Sequence, residues 1–163
     1  MTADWRMILL PGVGIRKIAV FKADLPYNDL TYQERVNGFL QAADAFRLPF
    51  QPEKDIVNCK ISGSDAISAV GYQAAKQYIE AGNMPEAICS VNELLARGIY
   101  EYLNEKGLAG KIRVSGYGIS AMEYAGEHRC DRIVCAGGDG TFSETAGGVL
   151  LSGERIPLGY VPE

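Results

Sequence analysis

Ile133-Val134-Cys135-Ala136-Gly137-Gly138-Asp139-Gly140-Thr141 is the stretch that decides the fold. An apolar run ends in three glycines within four residues, and Phe142-Ser143-Glu144 follows. It reads as a strand over Arg132–Cys135 that closes in a tight turn and feeds a helix over Ser143–Leu151. Glycine lets the backbone reach φ > 0 and carries no Cβ, so the amides of such a turn stay open. Open amides beside a helix N-terminus attract an anion such as a phosphate. Strand, turn and helix in that order make one βα unit, and the rest of the chain repeats it.

Outward from that unit, strands and helices alternate. Lys17–Phe21, Asp55–Ile61, Ala87–Val91, Ile112–Tyr117 and Pro157–Val161 read as strands, with another short one at Arg6–Leu10. Helices are expected over Thr31–Phe46, Ser64–Ala81, Glu93–Lys106 and Ser120–Glu127. Thr31 reads as an N-cap with Glu34 as its capping-box partner. Gly82-Asn83 and Gly107 read as helix ends. Strands separated by helices need right-handed crossovers and therefore pair in parallel. Their short, apolar character suits a sheet with helices on both faces. The expectation is an α/β protein: one domain over residues 1–163, a three-layer α/β/α sandwich with a mainly parallel, Rossmann- or flavodoxin-like sheet. Ligands in such sheets bind beyond the carboxyl ends of the strands, where the strand order reverses.

Composition narrows the function classes. The 163 residues are 47% apolar and 22% charged, ordinary values for a globular domain with a sizeable core. A net charge of −4 leaves no electrostatic footprint for nucleic acid or an anionic membrane, so neither is expected as a partner. No apolar run approaches ~20 residues, so no transmembrane helix is expected, and Met1–Arg6 lacks the build of a signal peptide; the reduced-cysteine reading of the four cysteines is what points to a cytoplasmic location or recombinant cytosolic expression. Cys59, Cys89, Cys130 and Cys135 form no Cys-x-x-Cys pair, and His128 is the only histidine. Reduced cysteines acting as small core residues are the expectation, and no zinc site is.

Residues 16 to about 119 resemble the C-terminal effector-binding lobe of lac-repressor/galactose-repressor-type regulators, a lobe shared with periplasmic sugar-binding proteins. The resemblance is carried by Arg16-Lys17-Ile18-Ala19-Val20-Phe21, Glu34-Arg35-Val36-Asn37-Gly38-Phe39, Gly71-Tyr72-Gln73-Ala74-Ala75, Pro85 through Glu93 with Ala96-Arg97-Gly98, and Ile112 through Gly118. It implies that Arg35 and Asn92 line an effector cleft. Where that family usually has two aspartates, this chain has Glu93 and Gly118. The resemblance therefore implies a cleft short of one carboxylate for a sugar hydroxyl. The other reading of the two residues is structural, with Arg35 on a solvated helix face and Asn92 as a helix N-cap.

Residues 129–162 resemble the nucleotide-binding domain of diacylglycerol kinase-type lipid kinases. Asp131 through Thr141, then Glu144, Gly147, Gly148 and Ile156 through Pro162 carry it. The resemblance implies that Gly137, Gly138, Asp139, Gly140 and Thr141 face a phosphate, with Asp139 toward Mg²⁺ and Mg-ATP as a weak ligand. Met7 through Gly14 is similar to a first strand leading into that family's Asn-Pro-x-x-Gly phosphate loop. Pro11 and Gly14 match it, and Leu10 stands at the asparagine position. Kinase-like ends (1–15 and 127–163) thus flank a regulator-like middle (16–126). Two families joined at compatible strand positions imply an engineered chimera: a scaffold with no catalytic residues and no required cofactor. The alternatives are a weak ATP- or phosphate-binding remnant and a small-ligand-binding lobe.

Overall fold

The structure is a computed structural model that describes residues 16–24, 30–45, 47–62, 65–115, 125–126, 132–137 and 139–162. Its contacts gather the chain into two compact units, Met1–Ser115 and Gly116–Glu163.

In the first unit, Ile18-Ala19-Val20-Phe21 is buried without a break and forms most of β1 (Ile18–Asp24). A strand apolar on both faces belongs in the middle of a parallel sheet, and β1 is there. It pairs with β2 (Ile56–Lys60) on one side, from Val20↔Ile56 to Asp24↔Lys60. On the other side it pairs with β3 (Ala87–Ser90), from Ile18↔Ala87 to Phe21↔Ser90. β4 (Arg113–Ser115) continues beside β3. The order is β2-β1-β3-β4 and every pairing is parallel. The α/β class with a parallel sheet, expected from the alternation of elements, is what the chain adopts.

The helices follow their apolar spacing. α1 (Leu30–Ala45) buries Val36, Phe39, Ala42 and Ala43, and the Phe39 ring lies 4.8 Å from that of Phe50. It begins before Thr31, so Thr31 sits inside the first turn instead of capping it. A short helix, α2 (Pro52–Asp55), stands where the sequence suggests only the lead-in to β2; proline opens it, and the Gln51 N–H donates to Asp55 Oδ2 at 2.6 Å. Proline's fixed φ suits a first helical turn. α3 (Ile67–Glu80) starts three residues later than expected, and Gly82, just past its C-cap, takes a φ of 88° that only glycine adopts freely. α4 (Glu93–Glu105) buries Leu95, Ile99, Tyr102 and Leu103.

α3 and α4 meet backbone to backbone. A Cβ at Gly71 would run into the Leu95 carbonyl, and one at Gly98 into the Ser68 carbonyl. The edge-to-face rings of Tyr72 and Tyr102, 5.4 Å apart, sit in the same seam.

In the second unit, β5 (Ile133–Gly137) pairs in parallel with β6 (Leu158–Pro162), and α5 (Asp139–Ser152) connects them. α5 begins at Asp139, four residues ahead of the expected Ser143. An acidic residue is favoured in a helix's first turn, and the Asp139 carboxylate takes the N–H of Gly140 at 2.9 Å. Thr145 packs on Cys135 with Oγ1 3.5 Å from Sγ, and the Phe142 and Tyr160 rings lie 4.7 Å apart. The expected strand Arg6–Leu10 and most of the expected helix Ser120–Glu127 lie outside the described residues.

Candidate functional site

The order β2-β1-β3-β4 reverses direction between β1 and β3, so the crevice rule points to the carboxyl ends of those two strands. The chain leaves β3 there through Val91 and Asn92, and α1 brings Tyr32 and Arg35 to the same place. The Arg35 Nη1 donates to the Val91 carbonyl at 2.5 Å, and its guanidinium carbon lies 5.8 Å from the centre of the Tyr32 ring. The Asn92 Oδ1 accepts the N–H of Leu95 at 3.1 Å, while its Nδ2 donates to the Tyr32 hydroxyl at 2.7 Å. Buried Ser90 donates from Oγ to the Asn92 carbonyl at 2.8 Å.

Arg35 and Asn92, read from the sequence as partners in one cleft, are thus brought together, 57 positions apart in the chain. Their polar atoms turn onto the protein itself. Asn92 is the N-cap of α4, and Glu93 follows in the first turn, where a carboxylate is favoured by the helix dipole. Tyr32 joins both groups and went unread in the sequence. Its signal is its place three residues before Arg35, on the same face of a helix. Gly118 lies outside the described residues.

The glycine turn is the second candidate. Gly137 ends β5 opposite Pro162, and Asp139, Gly140 and Thr141 open α5. Asp139 and Gly140 are exposed, and among the described residues nothing lies within 4 Å of where a Gly140 Cβ would stand. The space for a close ligand is present, but the N–H of Gly140 is held by the neighbouring carboxylate. Among the described residues no cluster of three metal-ligating side chains occurs. A hard cation at Asp139 would take its remaining oxygens from a polyphosphate and water. Gly138, Pro11 and Gly14 lie outside the described residues.

Cys59, Cys89 and Cys135 are free thiols in the core. Burial pushes the Cys59 thiol up to about 12, which keeps it protonated and unreactive near neutral pH. No described helix is long and apolar enough to cross a membrane.

Both resemblances are met in comparison with known proteins. The family model of the diacylglycerol kinase catalytic domain matches residues 88–163, less than half of the chain. That match reaches back through β3, α4 and β4, into the stretch that also resembles the regulators. Parallel βα units of one handedness serve either family. Among solved structures, the Escherichia coli transcriptional repressor ascG is similar at 20% identity, a TM-score of 0.59, and coverage of 96% of this chain and 56% of that one. A LacI-type transcription regulator from Bifidobacterium animalis has 18% identity, a TM-score of 0.57, and coverage of 96% and 59%. An ABC transporter solute binding protein from Bacillus halodurans, with bound myo-inositol, has 15% identity, a TM-score of 0.54, and coverage of 95% and 53%. The chain spans little more than half the length of these proteins, and at such identities the likeness is one of fold. No curated protein matches the chain.

Proposed function

We propose that the chain is a composite α/β scaffold, engineered by joining a regulator-like lobe to a kinase-like segment, whose inherited site residues now hold the fold together and catalyse nothing. One observation carries this reading: both ends of the Asn92 amide are engaged within the protein, one on the α4 backbone and one on Tyr32. A side chain that caps a helix and ties it to α1 has a folding role that needs no ligand. Buried, protonated Cys59 suits a reducing, cytoplasmic setting.

The family match over residues 88–163 favours one second reading, a weak phosphate interaction at Gly137–Thr141 with Mg-ATP as the ligand. Its affinity would be millimolar, on the order of 4 kcal/mol, because a single open turn holds little of a nucleotide.

The experiment is a titration of the isotope-labelled chain with Mg-ATP and, separately, with ribose, glucose and galactose, followed by two-dimensional NMR to ~10 mM. The scaffold reading expects no shift of the Asn92 side-chain amide and no saturable binding. Shifts gathered at Gly140 and Thr141 with Mg-ATP would establish the second reading instead. Micromolar sugar binding, or diacylglycerol phosphorylation abolished by Asp139→Ala, would overturn the scaffold reading.

A further inference from the structure

β1 runs Ile18-Ala19-Val20-Phe21-Lys22-Ala23-Asp24, and Lys22 is half-buried in it. A central parallel strand with helices on both faces is expected to be apolar there. A charge held in such a place is costly unless something answers it. Among the described residues neither an ion pair nor a hydrogen bond reaches the Lys22 ammonium.

Lys22 belongs to the α1 side of the sheet. The Phe21 ring meets that of Tyr78 on α3 at 5.5 Å, and successive side chains of a strand take opposite faces. The connections β1–α1–β2 and β2–α3–β3 cross the sheet in opposite directions, so right-handed crossovers put α1 on the face away from α3.

Arg35 reaches the same place from α1. The Val91 N–H donates to the Phe21 carbonyl at 3.2 Å, which extends the β1–β3 ladder by one step and sets Val91 beside Lys22. Arg35 donates to the carbonyl of that same Val91. Neighbouring strands lie ~4.8 Å apart, so Arg35 is held about one strand spacing from the main chain of Lys22. A guanidinium carries five N–H donors, and Arg35 is exposed. On the other side of β1, Asn58 stands opposite Lys22, and Lys60 stands opposite Asp24. Among the described residues neither Lys22 nor Arg35 forms an ion pair with Asp24, Glu34, Glu93 or any other carboxylate.

That surplus of positive charge selects the ligand. A divalent cation would be repelled, and a neutral sugar would answer neither charge. Nucleic acid needs a basic stripe, and this chain carries a net charge of −4. A phosphate monoester brings close to two negative charges at neutral pH and three acceptor oxygens. It offers one charge to each cation, and the Asn58 amide in the same row adds a neutral donor. We infer that Lys22 and Arg35, at the carboxyl ends of β1 and β3, form a binding site for the dianionic group of a small soluble phosphate monoester. Such a site adds a ligand to the scaffold without adding catalysis.

The test titrates the full chain with glycerol 3-phosphate and, separately, with glycerol to ~10 mM at constant ionic strength, followed by two-dimensional NMR. The amides of Lys22, Ala23 and Val91 and the Arg35 Nε–H should shift saturably with the phosphate and stay in place with glycerol. Lys22→Met suits the apolar row, and should weaken binding about tenfold with the far-UV circular dichroism unchanged. Asp24→Asn removes a negative charge from the same face and should tighten binding roughly twofold, a gain that a purely structural Lys22 would not produce. No saturable shift, equal affinity in either variant, or shifts confined to Gly140 and Thr141 would overturn the inference. So would binding seen only with phosphatidylcholine vesicles containing phosphatidate, which would assign the two charges to a lipid headgroup.

Discussion

Gly98→Ala adds one methyl group at the point where α3 and α4 touch, and its effect is calculable from the contact. The added carbon would overlap the Ser68 carbonyl oxygen and stand 2.7 Å from the carbonyl carbon and 2.8 Å from the Tyr72 nitrogen. Non-bonded carbons rest ~3.5–4.0 Å apart, so the helices must part by about 1 Å. All three obstacles are backbone, and no rotamer change relieves them. Overpacking costs ~1–3 kcal/mol, with a rigid obstacle at the upper end. Alanine recovers about 1 kcal/mol over glycine inside a helix, leaving a net loss of ~2 kcal/mol. Gly147→Ala is the matched control: it lies inside α5, and among the described residues nothing stands within 4 Å of the new carbon. There the propensity gain acts alone, at up to ~1 kcal/mol. Urea denaturation followed by far-UV circular dichroism, with native-state hydrogen exchange of the α4 amides, reads both effects. Equal shifts for the two variants, or a Gly98→Ala midpoint at or above that of the parent, would refute the close-approach argument.

Asn92→Ala should destabilise α4 by ~1–2 kcal/mol, and Asn92→Asp should restore most of that because aspartate caps as well, a contrast read in denaturation midpoints. The Glu86 carboxylate accepts the N–H groups of Arg16 and Lys17 at 2.6 and 2.8 Å, and these bonds hold its pKa below the usual carboxylate range. Its contribution to stability is therefore complete above the unfolded carboxylate pKa and lost as pH falls through the lower folded value; Glu86→Gln should flatten the acid limb of a stability–pH curve. The Tyr72 hydroxyl donates to Glu105 at 2.6 Å, which raises the phenol's pKa, so stability is held below the ordinary tyrosine pKa and falls as pH climbs through the raised one. Tyr72→Phe should remove that alkaline loss in the same titration. Cys59 should resist a disulfide reagent at pH ~8 until the chain is unfolded, as peptide mass mapping of the labelled thiols will report.

Local pattern carried much of this protein. The unbroken apolar run at Ile18–Phe21 announced a doubly covered central strand. The spacing of Val36, Phe39 and Ala43 announced the buried face of α1, and Asn92 was legible as a cap because capping is satisfied within three residues. Alternation of these elements was enough for a parallel α/β sheet, since handedness leaves few other solutions. Helix starts were less legible. α1 takes in Thr31 and α5 takes in Asp139, because a first turn is decided by bonds such as that from Gly140 to the Asp139 carboxylate, not by apolar spacing. Only tertiary structure decided what depends on distant partners: β1 between β2 and β3, the Tyr32 hydroxyl joining Arg35's helix to Asn92, and the glycines that let α3 and α4 meet at their backbones. Each of these joins residues far apart in the chain, and no periodicity within one element encodes which distant carbonyl a missing Cβ leaves room for.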